Sequence, residues 1–260
     1  MSNVIEPRLV QVLEFCAREP VERVFLEDVA RRGLGRLVAV QGRNGGLAAV
    51  CHIGANVVPS GLGCAAFADA AARGHARMII GEEAAVGDLW GALAHRLRAP
   101  RADRPGQPVF ALTERPPSGS SGLRAATLGD LELLLPVCAV AHEEELGVNP
   151  LVRDAEGFRW RTRELVEEGR SWIWADGDVI LFKAEASAWT PRAVQLQQVW
   201  VDPSVRRQGY GSRGLRDLCR LLLESTPVVT LFVRTDNAPA IALYRAIGMT
   251  QVGSYRSVLF

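Results

Sequence analysis

The segment Val199-Trp200-Val201-Asp202-Pro203-Ser204-Val205-Arg206-Arg207-Gln208-Gly209-Tyr210-Gly211 holds the residues best suited to chemistry. An apolar strand runs into a short turn, a basic loop punctuated by glycine follows, and an amphipathic segment opens at Ser212. Glycine lets the backbone approach a ligand closely, and successive N–H groups can then point into one concavity. A helix that begins there adds the positive end of its dipole. Arg206 and Arg207 contribute fixed positive charge. These residue types, in this order, describe a cradle for a pyrophosphate.

Dinucleotide and nucleotide sites use the same physics, so the spacing has to discriminate. Arg206-x-x-Gly209-x-Gly211 fits neither Gly-x-Gly-x-x-Gly nor a loop closing on Gly-Lys-Ser/Thr. It resembles the (Gln/Arg)-x-x-Gly-x-(Gly/Ala) loop of the GNAT superfamily of N-acyltransferases, which bind acyl-CoA. Downstream, Pro227-Val228-Val229-Thr230-Leu231-Phe232-Val233 reads as a buried strand rich in β-branched residues. The next stretch, from Asn237 through Leu243-Tyr244 to Gly248-Met249, is similar to the GNAT pattern of Asn, small residues, Leu-Tyr and Gly-Phe. Met249 stands where Phe is usual. Pro239 fits the first turn of a helix and Gly248 its stop. The resemblance covers residues 123–260.

The resemblance implies an α/β fold with a mixed sheet and acetyl-CoA as the cofactor. The strand Val199-Trp200-Val201 would hold the pantetheine arm through the backbone of Val199 and Val201. Arg206, Arg207, Gln208, Gly209, Tyr210, Gly211 and Ser212 would hold the pyrophosphate, chiefly through backbone N–H groups. Asn237 would contact the cofactor arm, and by its type it also suits a helix N-cap. Tyr244 would protonate the departing thiolate, a role for which a phenol is a neutral donor at pH 7. With the amine and the thioester held together, positioning supplies much of the catalysis.

The base is less legible. Certain GNAT enzymes place a Glu on the central strand, where this chain has Gln195, with Gln197 and Gln198 also neutral. A water chain, or one of His142, Glu143, Glu144 and Glu185, remains to take the amine proton. Glu143-Glu144-Glu145 reads as a solvated helix end, and Cys138 and Cys219 as inert packing. Trp172, Trp174, Trp189 and Trp200 read as core and sheet-face packing, with some left to wall an acceptor channel.

The elements that position these residues can be read coarsely. In the second half, Arg124–Thr127 is a short strand, and 128–145 and 156–168 are helices. Ser171–Ala175 and Val179–Ser187 form a hairpin across Asp176-Gly177-Asp178. Gln195–Val201 is the central strand and 211–225 the helix behind the cradle. Gln251–Tyr255 and Ser257–Phe260 are read as two closing strands. In the first half, 6–18 and 20–32 read as helices, with Pro20 at a helix start. Leu37–Val40 and Leu47–His52 pair around Arg43-Asn44-Gly45-Gly46. The reading continues with a loop over 54–63 containing Pro59, a helix over 64–73, a strand over 78–80, a helix over 83–97 and a last strand over 109–112. The proline- and glycine-rich stretch 116–122 is the expected linker. It separates a smaller N-terminal α/β domain, 1–115, from a GNAT domain, 123–260. Gly54-Ala55-Asn56-Val57-Val58-Pro59 and Asp88-Leu89-Trp90 resemble the uncharacterised N-terminal region of certain two-part GNAT proteins. Two readings of that half stay open: a degenerate GNAT-like domain completing the acceptor pocket, or a stability or homodimerisation element.

Composition excludes several classes. A formal net charge of +1 gives no global electrostatic case for nucleic acid or an anionic membrane. No apolar run is long enough to span a bilayer and no leader is seen. Five scattered cysteines point to a reduced, cytoplasmic setting, and four dispersed histidines argue against a metal site. The leading expectation is an acyl-CoA-dependent N-acyltransferase acting on a primary amine of a small molecule or protein. The alternative is a non-catalytic acyl-CoA-binding sensor or scaffold.

Overall fold

A computed structural model describes residues 4–43, 45–74 and 76–260. The first half runs β1 (Val4–Ile5), α1 (Leu9–Cys16), α2 (Val24–Arg32), β2 (Arg36–Gln41), β3 (Leu47–Ile53), β4 (Asn56–Gly61), α3 (Ala68–Ala72), β5 (Met78–Glu82), α4 (Glu83–Leu93) and β6 (Ala102–Leu112). The second runs β7 (Arg124–Ala125), α5 (Leu131–Leu146), α6 (Pro150–Glu167), β8 (Ser171–Asp176), β9 (Val179–Trp189), β10 (Val194–Val201), α7 (Tyr210–Leu222), β11 (Val229–Phe232), α8 (Ala238–Ala246) and β12 (Thr250–Leu259).

Among the described residues the strands join one twelve-stranded mixed sheet, ordered β1-β2-β3-β4-β5-β12-β6-β11-β10-β9-β8-β7. The halves are interleaved. β12 lies between β5 and β6, and β6 lies between β11 and β12. The two closing strands expected over 251–260 are therefore one strand. Arg256 sits mid-strand opposite Gly81, and β6 takes the place beside β11. β6 is also much longer than 109–112. Its start at Ala102 pairs with Leu259, beyond the reach of β11.

Two other expectations change. The loop over 54–63 contains β4, with Cys51 opposite Pro59. Pro59 is tolerated because β4 pairs with β5 only at Asn56 and Val57, so no ladder bond on that side needs its missing N–H. Pro20 lies in a run of turns rather than at a helix start, and α2 begins after Arg23. Asn44, within the expected hairpin turn, lies outside the described residues.

The stretch 116–122 has no regular structure but is docked on α7. Asp217 accepts from the Gly119 N–H (2.7 Å), the Ser121 N–H (2.8 Å) and the Ser121 hydroxyl (2.6 Å). Arg213 donates to the Gly119 carbonyl (2.9 Å) and Arg220 to the Pro116 carbonyl (2.8 Å).

Strand alternation puts different helices on the two faces of the second half. Trp172, Phe182, Leu196 and Leu231 pack under α7 and α8 with Leu215, Leu218 and Tyr244. Ile173, Ile180 and Trp200 pack under α5 and α6 with Leu134, Cys138 and Phe158. Gly214 allows the close approach of α7, since a Cβ there would come within 2.7 Å of the Phe182 ring.

Candidate active site

The parallel strands β10 and β11 pair only at Val194–Val229 and Gln195–Thr230. Beyond that they part, and residues 196–201 border the wedge that opens between the two strands. On its other edge, β10 carries a bulge. Gln197 opposes Glu185 and Trp200 opposes Lys183, so Gln198 and Val199 share one partner position. Gln198 takes φ +48°, a costly conformation for a residue with a side chain. The sequence-expected strand Val199-Trp200-Val201 is thus the free edge of the wedge, with the Trp200 side chain turned into the α5 face.

Above the wedge, Asp202 starts the turn by accepting from the Ser204 N–H at 2.8 Å. Arg207 and Gly209 then reverse the chain at φ +65° and +87°. Gly209 is the N-cap of α7 and brings no side-chain acceptor, so the N–H groups of Tyr210, Gly211 and Ser212 are uncapped. A Cβ on Gly209 would meet nothing within 4 Å, whereas one on Gly211 would press on Val201 at 3.1 Å and Leu243 at 3.4 Å. Space lies over the first turn, and tight packing holds it from beneath. This donor set suits a diphosphate.

The side chains around the cradle divide the work. Arg206 donates to the Val201 carbonyl (3.1 Å) and forks onto Glu144 (3.1 and 3.2 Å), which ties the loop to α5. Arg207 is exposed and makes no hydrogen bond or ion pair among the described residues. Gln208 donates back to the Ser204 carbonyl at 3.1 Å. Tyr210 stacks on Trp174 at 4.7 Å between ring centroids. Asn237 caps α8, accepting from the Ala240 N–H at 3.2 Å.

Tyr244 is 6% exposed and packs on Phe110, and its hydroxyl makes no hydrogen bond among the described residues. Burial raises its pKa, with the Glu145 carboxylate adding to the effect. The phenol therefore stays protonated across the neutral range.

Beneath the bulge lies a buried polar cluster. Lys183 is fully buried. Its Nζ donates to Glu185 Oε1 (2.5 Å) and to Gln198 Oε1 (3.1 Å). Glu185 also accepts from Gln197 Nε2 (3.2 Å) and the Cys138 thiol (3.3 Å). Burial works against the Lys183 charge, but the Glu185 carboxylate outweighs it and the ammonium is retained. Burial pushes the Cys138 thiol up to about 12, which leaves it an inert donor.

Glu145 was expected at a solvated helix end, and there it differs from Glu143 and Glu144, which are exposed. It is half-buried. Burial raises its pKa, with Arg104 opposing. Its side chain makes no hydrogen bond among the described residues, and it lies near enough to Tyr244, Glu185 and Lys183 to couple with them electrostatically. A signal in the sequence marks it: Leu131, Leu134, Cys138 and Ala141 form the buried stripe of α5, and Glu145 continues that spacing. Lys183 carried no comparable signal, because a lysine in an apolar strand ordinarily faces water. His142 is half-buried with its ring against Phe158; burial, then Arg161, lowers its pKa.

A mixed sheet parted between two parallel strands, with an uncapped helix start over the opening, defines a fold that can hold an extended diphosphate ligand along a strand edge. Residues 139–249 match the acetyltransferase (GNAT) family, and residues 35–134 match a domain of unknown function (DUF4081). Among curated proteins, the chain is similar to N-alpha-acetyltransferase RimI of Mycobacterium tuberculosis. The two are 42% identical over 66 residues, which make up 25% of this chain and 40% of RimI. The match thus spans well under two thirds of that relative. A GNAT-family acetyltransferase of Colwellia psychrerythraea shares the fold at a TM-score of 0.58 and 12% identity, over 100% of this chain and 99% of that one. A tandem GNAT protein from the clavulanic acid biosynthesis pathway does so at 0.57 and 13%, over 100% and 98%. The match to the acetyltransferase (GNAT) family thus lies within the second half of the chain.

Proposed function

We propose that the protein is an N-acetyltransferase that moves the acetyl group of acetyl-CoA directly to a primary amine within the β10–β11 wedge. The observation that carries this reading is the alignment of the uncapped α7 N-terminus with the free edge of β10. Backbone N–H groups of residues 210–212, with Arg207, receive the pyrophosphate. The backbone of Val199 and Val201 pairs with the pantetheine arm as a neighbouring strand would. Arg206 holds the loop to α5 through Glu144, and Asn237 fixes the start of α8. Acetyl-CoA supplies the activated acyl group as substrate.

Tyr244 and Glu145 reach the wedge from opposite faces of the sheet. Tyr244 acts as the proton donor to the leaving sulfur. Glu145 acts as the proton acceptor for the amine, directly or through one water, because its pKa is raised and its carboxylate accepts no hydrogen bond among the described residues. Glu185 is poorly placed for that task, since Lys183, Gln197 and Cys138 already donate to it. The acceptor is a primary amine of a small molecule or of a protein.

Calorimetric titration with acetyl-CoA and desulfo-CoA, on wild type and Gly209→Glu, tests the cofactor assignment. Sub-millimolar binding of both that is lost in the variant supports it, and no CoA binding refutes it. An amine screen that follows release of free CoA then separates the transferase from the second reading, an acyl-CoA-binding scaffold. That reading draws on the sequestered Glu185 and the neutral Gln195, and any amine-dependent turnover excludes it.

A further inference from the structure

One group of charges lies outside this site. Arg77, just before β5, Arg96 and Arg98 after α4, Arg101 just before β6, and Arg153 on α6 line an open cleft with Phe260. Its two lobes measure about 370 and 460 Å³. Among the described residues, only Arg96 has a carboxylate partner, Asp69. The guanidinium groups of Arg77, Arg98, Arg101 and Arg153 have none. Elsewhere most arginines have a carboxylate partner among the described residues, as Arg124 has in Asp130 and Arg256 in Asp103.

Backbone pairing with the end of β12 fixes Arg77 and Arg101. The Phe260 N–H donates to the Arg77 carbonyl at 2.9 Å, and the Arg101 N–H to the Leu259 carbonyl at 2.7 Å. The Phe260 ring rests against Trp90. Four to five like charges gathered this way repel one another, although the chain as a whole carries only +1. A ligand of opposite charge relieves that repulsion, and planar guanidinium forks match phosphate and carboxylate oxygens.

We infer that this cleft is a second anion-binding site, distinct from the α7 cradle, for a ligand carrying two or more phosphate or carboxylate groups. The two sites share no residue. The cleft joins both halves of the chain, since Arg153 comes from α6 and the other arginines precede β7. It also lies at the end of the sheet where the wedge opens, because Ala102 of β6, Leu259 of β12 and Met78 of β5 meet there. Arg101 and Arg153 are close enough to His142 of α5 to disfavour its protonation, behind burial and Arg161. On the α5–α6 face the cleft is therefore open to an acceptor's own anionic groups. That last assignment rests on the transferase reading; the anion binding does not.

The experiment is calorimetry with pyrophosphate and with citrate on the full chain, run with the cradle saturated by desulfo-CoA. Wild type, Arg98→Gln and Arg98→Ala/Arg153→Ala are compared. The expected result is binding by wild type, weakened at least tenfold in the double variant, with desulfo-CoA affinity unchanged in all three. Preference for pyrophosphate or for citrate distinguishes a phosphate from a carboxylate ligand. No binding of either probe, or equal binding in the double variant, overturns the inference. Loss of desulfo-CoA binding in the double variant also overturns it, by making the cleft part of the cofactor site. Absence of desulfo-CoA binding in wild type refutes the cofactor reading instead, and leaves the two anions to be read alone.

Discussion

Lys183 and Glu185 project from the same face of β9, both buried, with Nζ and Oε1 2.5 Å apart. The lysine also holds the side chain of Gln198, the residue at φ +48° in the β10 bulge. The pair therefore links a buried charge to the strained point of the wedge. Removing one partner strands the other charge out of water, at about 3–5 kcal/mol. Lys183→Met should lose that much in denaturant unfolding. Lys183→Met/Glu185→Gln should recover part of it, because no charge is then left unpaired.

Tyr244→Phe removes a hydroxyl that has no hydrogen bond among the described residues, so the unfolding midpoint should hardly move. If the phenol is the proton donor, kcat should fall roughly 10²–10⁴-fold, the range for a lost general acid. CoA affinity should be retained. Unchanged kcat would assign Tyr244 to packing alone.

Glu145 predicts a pH dependence. Its folded pKa is raised, so the base form exists only above an elevated pKa, and kcat/KM should fall as pH drops through it. Glu145→Gln should lower kcat/KM and remove that acidic limb. The linkage sign is opposite for stability. A raised carboxylate favours folding while protonated, and that contribution is lost as pH rises through the folded value. Glu145→Gln should therefore be no less stable than wild type at pH 8, which separates catalytic loss from misfolding.

Gly209 at φ +87° tolerates no side chain cheaply, although space lies over it. Gly209→Ala should cost about 1–2 kcal/mol of stability through the left-handed backbone alone. By turning the first-turn N–H groups, it should also weaken CoA binding, read by calorimetry.

Asp217 anchors the stretch 116–122. Burial raises its pKa, but hydrogen bonds from Ser121 and Gly119 outweigh it and leave the carboxyl below its usual value. The anchoring is therefore full at neutral pH and fades as pH falls through that depressed pKa. Asp217→Ala should expose the segment, and limited proteolysis should cut there faster than in wild type.

The sequence already marked the parts of the site that rest on local backbone chemistry. The glycine at the α7 start, the Asn cap of α8 and the apolar run of β10 each follow from one short stretch. What it hid was non-local. The β10–β11 wedge exists because two strands stop pairing after Gln195 and Thr230, which no spacing reports. Lys183 reads as an exposed strand residue until Glu185, Cys138 and Gln198 surround it. Glu145 looked solvated because it follows two other glutamates, although its helical phase placed it with Cys138. In the fold, β4 was masked by Pro59. The single long β12 was masked by polar residues that only its pairing with β5 and β6 explains.

The interleaving of β6 and β12 governs the order in which the protein can assemble. When residues 102–112 leave the ribosome, both of their sheet neighbours are still unsynthesised, and β5 lacks its β12 partner until residue 259 has been made. The first half must wait with open strand edges, the condition that recruits chaperones and favours misassembly. Completing the sheet closes contacts of long sequence separation, which slows folding. A fragment of residues 123–260 would carry the whole cradle and yet lack β6 from between β11 and β12. The native protein should emerge in one late, cooperative step, with no stable intermediate made of either half alone.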